Sequence, residues 1–314
     1  MSFRRLIHVL RMSPLVLVLG LASAPAAASE AEATAWLQKM STALREQNYV
    51  GTFTFMRGNE FNTMRIAHRF EEGRETERIL QLNGERREIV RTDSDVTCYH
   101  HVDDDRNLCH NVPLGPFSHL FNESIAKTRD LYNFTLRGKD RIANRDTVIL
   151  DISPRGNDRY GYRLLLDEET GLLLQSQLVD RNRVREQFQF AEITIGGDID
   201  DALLVANVDE DTVKHKLTAE ILDEPSQPTL RVSWLPDGFR VVRTARDRMH
   251  FSDGIATFSV FIERKKPLPE LATRVGGTAV ITRTLNGAGQ ITVIGEVPVA
   301  TAQRVAESVE PVIY

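Results

Sequence analysis

The sequence predicts an α+β protein: a long antiparallel meander with one apolar face under a few covering helices, followed by a smaller α+β unit. Three observations carry that expectation. Apolar and polar residues alternate with period two in short runs between residues 49 and 195. Turn residues punctuate those runs. A charged stretch holding two prolines, near 208–228, divides them from a second alternating block.

The elements follow in chain order. Residues 1–28 read as a secretory leader: Arg4, Arg5 and Arg11 supply a positive region ahead of a short apolar run, Pro14 to Ala22, and small-x-small patterns follow at Ala22–Ala24 and Ala26–Ala28. The run is shorter than the roughly 18 residues of a membrane span, which favours cleavage over anchoring. No cysteine adjoins the cleavage sites, which argues against a lipid anchor. Cleavage would leave about 285 residues, enough for two domains. It removes three arginines and no acids, so the formal net charge moves from −5 to −8. A mildly acidic chain of this kind is no bulk nucleic-acid binder.

Residues 33–47 form a helix, with Trp36, Leu37, Met40 and Leu44 on one stripe. "NYVGTFTFMRG" and "FNTMRIAHRF" form a hairpin of aromatic and β-branched strand chemistry. "ERREIVRT", "VTCYHHV", "RNLCHNV", "TVILDIS", "YRLLLDEETGLLLQSQLVD" and "RVREQFQFAEITI" supply further strands, with "DEETG" as a hairpin turn. Between them, 117–132 carries a helix-like apolar set, Leu120, Phe121, Ile125 and Leu131. It and the 33–47 helix are the expected covers for the apolar face. The domain plan is a first domain at 29–207, a linker at 208–228 and a second domain at 229–314. In the second, "TLRVSWLPDGFRVVRT", "IATFSVFIER" and "GGTAVITRTLNGAGQITVIGEVP" read as strands, and "VATAQRVAESV" as a helix starting after Pro298.

"CYHHVDDDRNLCH" holds both cysteines, three of the eight histidines and three consecutive aspartates. Pairing 97–101 with 106–110 as a hairpin places Cys98 opposite Cys109, around a "VDDD" loop. Side-chain alternation then leaves only Cys98, His100 and Cys109 on one face, where a closed zinc site needs four ligands. In an oxidising exported compartment a Cys98–Cys109 disulfide is favoured over a metal site or free thiols. No metal or other cofactor is expected. The chain has no Gly-x-Ser-x-Gly, His-Glu-x-x-His, phosphate-loop or Gly-x-Gly-x-x-Gly pattern, and no catalytic residue is assigned. Two basic biases stand out. Residues 125–163 carry nine Lys/Arg against five aspartates, and 240–248 hold four arginines against one aspartate. Each is a solvated face, or else a contact for an anionic lipid head group (the first) and an acidic partner segment (the second).

"NYVGTFTFMRG" with "MRIAHRF" and "ERREIVR" resembles the opening of the periplasmic sigma-E regulator family (RseB/MucB-like), and "SWLPDGFRVV" resembles that family's second-domain signature. The resemblance runs through the whole mature chain. It implies a first domain similar to LolA/LppX-type lipoprotein carriers, a curved antiparallel half-barrel sheet with covering helices around an apolar cavity. It also implies a soluble, non-enzymatic periplasmic protein. Such a protein binds the periplasmic region of a membrane-spanning anti-sigma factor, shields it from site-one proteolysis, and is displaced by lipopolysaccharide or another acyl lipid. A periplasmic lipid or lipoprotein carrier is the alternative, and a homodimer is left open. Phe53, Phe55, Met64, Ile66 and Leu164 are candidate cavity-wall residues, against the plainer reading that they are core. Trp234, Phe239, Arg240 and Arg243 are candidates for the partner surface, although Trp234 fits a core equally well.

Overall fold

The computed structural model describes residues 25–102, 128–217, 229–263, 269–285 and 289–312. Most of the expected leader therefore lies outside the described residues. So do Cys109 with the 106–112 run and the apolar residues at 117–127.

The first element is a helix, α1 (Pro25–Glu46). Ala33, Leu37, Met40 and Ala43 are its buried positions, spaced by three and four residues so that they fall on one stripe. Trp36 and Leu44 flank that stripe, half-buried. Five strands follow as a meander: β1 (Tyr49–Arg57), β2 (Glu60–Glu71), β3 (Arg74–Gln81), β4 (Arg87–Thr92) and β5 (Asp95–His101). A second meander contains β6 (Tyr132–Ile142), β7 (Arg145–Pro154), β8 (Gly161–Asp167), β9 (Leu173–Asp180) and β10 (Arg183–Ile195). The last of these returns to β1, and β11 (Thr212–Leu217) adds to β5. The product is one antiparallel sheet of eleven strands, ordered β11-β5-β4-β3-β2-β1-β10-β9-β8-β7-β6.

The helical stripe packs on the inner face of this sheet. Phe53, Phe188 and Phe190 meet there with ring centres 4.9–5.8 Å apart, beside Met40 and Leu37 in one core. The seam between the meanders is tight. A Cβ at Gly51 of β1 would lie 2.6 Å from the Glu192 carbonyl oxygen and 2.8 Å from the Phe190 ring, so only glycine fits. The outer face of β2–β4 is covered too, by the segment after β10, where Ile199 and Leu204 pack on Ala67. Beneath that cover Arg78 and Glu88 form a buried ion pair at 2.6 Å. Glu88 also accepts from Asn207 N at 3.1 Å, which pins the end of the segment.

Several expectations change. Strands β3 and β6 were not anticipated: "RETERILQ" is highly charged, and "YNFTLRGKDRI" was split between a helix and a gap. The paired hairpin of 97–101 with 106–110 is overturned. Both edges of β5 are taken, with Cys98 opposite Ile89 of β4 on one side and His215 of β11 on the other. The neighbour expected from "RNLCHNV" is thus supplied by "TVKHKL", which lies inside the stretch read as linker. Cys98 is fully buried and disulfide-bonded. The turn at "DEETG" matches: Asp167 Oδ1 accepts from Thr170 N and Oγ1 at 2.8 Å each, and Gly171 takes φ +82°.

The second domain opens with β12 (Leu230–Val232), then β13 (Arg240–Thr244), β14 (Arg248–Ser252), β15 (Thr257–Glu263), β16 (Leu271–Val275), β17 (Thr278–Leu285) and β18 (Gly289–Gly295). Helix α2 (Val299–Glu307) begins directly after Pro298, as expected, and β19 (Val309–Pro311) is the last element among the described residues. Six strands form a sheet in the order β13-β14-β15-β18-β17-β16, with β12 and β19 paired apart from it. Ala302, Val305 and Ala306 of α2 close a core with Phe251, Phe258, Val260, Ile291 and Val293. Strands β14 and β16 lie outside the runs whose pattern predicts strands.

Candidate functional site at the domain junction

The junction between the domains is built around one carboxylate. Asp253 follows β14 in a tight turn, where its Oδ1 accepts from the backbone N of Ile255 and Ala256, both at 2.8 Å. That local pattern is what an aspartate does at a turn. It leaves Oδ2 facing the first domain, and two groups reach it from there. Tyr132 donates its hydroxyl at 2.8 Å and Arg159 donates Nη1 at 2.6 Å. All three side chains are buried.

Arg159 extends the contact. Its Nε donates to Asp158 Oδ1 at 2.8 Å, and its Nη2 to the carbonyl of Asp237 at 2.5 Å. The guanidinium lies 5.6 Å from the Tyr132 ring centre and 5.2 Å from that of Phe239. The "WLPDGF" turn is therefore a socket for an arginine of the first domain. Gly238 in that turn has φ +79°, and a Cβ there would lie 2.3 Å from Leu131 Cδ1, so glycine is required twice over. Ile255, a residue of the second domain, is buried within the first domain's core cluster. Burial, then Asp253, pushes the Tyr132 hydroxyl far above its usual range, so it remains a donor.

A second contact lies on the other side. Glu186 of β10 accepts from Gly277 N at 2.9 Å and forms an ion pair with Arg57, its Nε 3.2 Å away. Tyr162 donates to Glu296 at 3.2 Å, and Thr301 Oγ1 to the Asp158 carbonyl at 3.0 Å. Burial pushes the Glu186 carboxyl up, against the pull of Arg57. Burial and then the Glu186 charge push Glu296 up. Joined domains therefore hold protons that separated domains release. Their association strengthens as pH falls from the raised values toward the ordinary 4.5, and weakens as pH rises through the raised values. Glu75, Asp151 and Asp167 act with the opposite sign. Burial alone would raise them, but their arginine partners, with His68 at Glu75 and Thr170 at Asp167, hold them down, Glu75 at about 2, so their contribution is lost only at lower pH. The double variant Glu186→Gln/Glu296→Gln is expected to remove the gain in urea midpoint that these two carboxyls supply as pH falls, a gain opposed in the parent by His250, which burial and then Arg243 push below its usual range. A pH dependence unchanged in the double variant would place the effect elsewhere.

Between these contacts a cleft of about 640 Å³ opens on the outer face of the first sheet, closed at one end by Pro298 and Ala300 of the second domain. Arg137 and Arg163 line it, sharing Asp151: Arg163 Nε and Nη2 bond its two oxygens at 2.8 and 3.0 Å, and Arg137 Nε bonds Oδ2 at 3.0 Å. Arg159 and Arg181 also line it. Three arginines of the 125–163 basic bias thus converge here. Others go elsewhere, Arg145 to Asp167 and Lys139 to Glu168.

The remaining candidates distribute as follows. Phe53, Phe55, Met64, Ile66 and Leu164 are all buried, packed with α1 in one core. Phe239 is buried as well, in the second core and against Arg159, so in this arrangement it is a junction residue and offers no outward surface. Trp234 is half-buried, with the Arg304 guanidinium 4.0 Å from its ring centre. Arg240 and Arg243 are exposed on β13. Sequence reasoning missed Asp253, Tyr132 and Arg159. The only local signal was Ser252-Asp253-Gly254, a turn like many others.

Among the described residues no helix is long and apolar enough to cross a membrane, and no cluster of three or more His, Cys, Asp or Glu is placed to hold a metal. Family models described as the MucB/RseB N-terminal domain and the MucB/RseB C-terminal domain match residues 32–208 and 224–310. The chain is 34% identical to the sigma factor AlgU regulatory protein MucB of Pseudomonas aeruginosa over 319 residues, covering 96% of this chain and 98% of that protein. It is 27% identical to the sigma-E factor regulatory protein RseB of Escherichia coli K12, covering 92% and 93%. Among solved structures it matches the Pseudomonas aeruginosa MucA/MucB complex with a TM-score of 0.71 at 32% identity, over 90% of this chain and all of that one. A crystal structure of MucB in complex with the periplasmic part of MucA matches with the same score, at 31% identity over the same shares.

Proposed function

The chain belongs to the MucB/RseB family of sigma factor regulatory proteins, and from that premise we propose that it is a periplasmic negative regulator of an envelope-stress sigma factor. It binds the periplasmic region of a membrane-spanning anti-sigma factor and shields that region from site-one proteolysis. The supporting observation is the full-length match, across both domains, to a relative solved together with MucA. The protein acts by binding and carries out no chemistry of its own. Its leader is removed on export, and Cys98 and Cys109 are joined in the oxidising compartment.

An acyl lipid such as lipopolysaccharide releases the partner. The arginine cleft at the junction fits that role: phosphate or carboxylate groups would compete with Asp151 for Arg137 and Arg163, next to the contacts that hold the domains together. The carrier alternative draws no support from the five cavity candidates, which are packed core side chains.

The purified mature chain is expected to slow site-one cleavage of the anti-sigma periplasmic region in vitro, and lipopolysaccharide to restore it. Cleavage at full speed with saturating protein would refute the reading.

A further inference from the structure

Strand β13 is the end strand of the six-stranded sheet and pairs only with β14. Among the described residues nothing pairs with its outer edge. Arg240, Val241, Val242 and Arg243 are all exposed, so neither face of the strand is covered over most of its length. Edge strands in soluble proteins are usually shortened, charged or bulged, because an open row of backbone N–H and C=O groups templates another strand. This edge is bulged, with the register shifting between Val241 and Arg243. Yet the bulge leaves two valines side by side at 43% and 48% exposure, and exposed β-branched residues at an edge favour pairing rather than prevent it.

The charge around the valines selects a partner. Arg240 pairs across with Ser252, and Arg243 with His250, which places both arginines on the sheet face away from the Phe251 core. Arg246 is exposed in the following turn. A second copy of the chain pairing edge to edge would bring four arginines together on one face of the new ladder, a like-charge arrangement that destabilises cross-strand pairs. An acidic strand inverts that term. The opposite edge, β16, also has exposed apolar residues, but it runs into the Gly276–Gly277 turn already used by Arg57, Glu186 and Leu178 at the junction.

We propose that β13 is the docking edge for the anti-sigma partner, and that an extended, acidic segment of its periplasmic region adds there as a seventh strand, with carboxylates facing Arg240 and Arg243 and small apolar side chains on Val241 and Val242. This rests on the regulatory function proposed above and supplies its mode of recognition. Main-chain hydrogen bonds give the affinity in such an arrangement, and the arginines give register and partner choice.

The test is hydrogen–deuterium exchange of the full mature chain with and without the periplasmic region of the cognate anti-sigma factor, combined with titration of Arg240→Glu/Arg243→Glu. Thr244 is the most informative amide. Ala245 N bonds to Arg248 O at 2.8 Å, so by antiparallel alternation the Thr244 N–H points away from β14 and is unprotected until another strand arrives. Complex formation is expected to slow exchange at β13. The double charge reversal is expected to weaken binding about tenfold or more, with a reduced dependence on salt. Binding that leaves β13 exchange unchanged would overturn the docking edge while leaving the regulatory function intact. No binding at all would overturn both. Protection of β13 in the chain alone, rising with its concentration, would assign the edge to a second copy and overturn the proposal.

Discussion

Asp253→Ala is expected to destabilise the protein by about 3–5 kcal/mol, the range for removing one partner from a buried ion pair. The cost does not come from the lost attraction alone. The substitution leaves Arg159 buried with one N–H uncompensated, the Tyr132 hydroxyl without an acceptor, and the Ile255 and Ala256 N–H groups without the side-chain oxygen that fixes their turn. Arg159 keeps Asp158 and the Asp237 carbonyl, so the loss should fall inside the quoted range rather than beyond it. Asp253→Asn should cost less, because an amide oxygen still accepts while the charge is gone. Urea melts followed by tryptophan fluorescence and by far-ultraviolet circular dichroism measure it. With the junction broken, the two probes are expected to separate into two transitions. A loss below about 1 kcal/mol would mean that the domains do not depend on this contact.

The second large effect is in the first core. Leu164→Ala is expected to cost about 2–5 kcal/mol, since its side chain is fully buried and the neighbouring strands cannot close the void. A residue lining an open, solvent-filled cavity would lose far less, because water already contacts it. The same substitution therefore decides between the two meanings first attached to Leu164, Phe53, Phe55, Met64 and Ile66. A calorimetric shift of under about 1 kcal/mol would return them to the cavity.

How much of this was legible in the sequence depended on what covers each strand. The strand β1 was readable because its inner residues, Tyr49, Phe53 and Phe55, are apolar and the outer ones face partly outward. The strand β3 was not, because Glu77 and Arg78 are both buried under other parts of the chain and balanced by Arg91 and Glu88, so its alternation is of charge pairs and not of hydropathy. The strand β11 failed for the opposite reason. Lys214, His215 and Lys216 are exposed at the edge of the sheet, and an edge needs no apolar face. The junction was illegible in principle. Arg159 and Asp253 are 94 positions apart, and nothing local to either marks the other. The aromatic residues of "WLPDGF" suggest an outward surface, whereas its glycine and the Asp237 carbonyl face the neighbouring domain.

The pairing of β11 with β5 sets the reach of the second domain. The connection between domains runs from Thr212 to Thr229, but six of those residues are stowed in the sheet edge, with the His215 ring stacked 4.9 Å from that of His100. Peeling those six residues off would lengthen the tether by about 20 Å at the rise of an extended strand. With the Asp253 and Glu186 contacts of the junction also broken, the second domain would swing clear of the first while still leashed to it. Capture and release of a partner would, on this geometry, be matters of slack as much as of affinity.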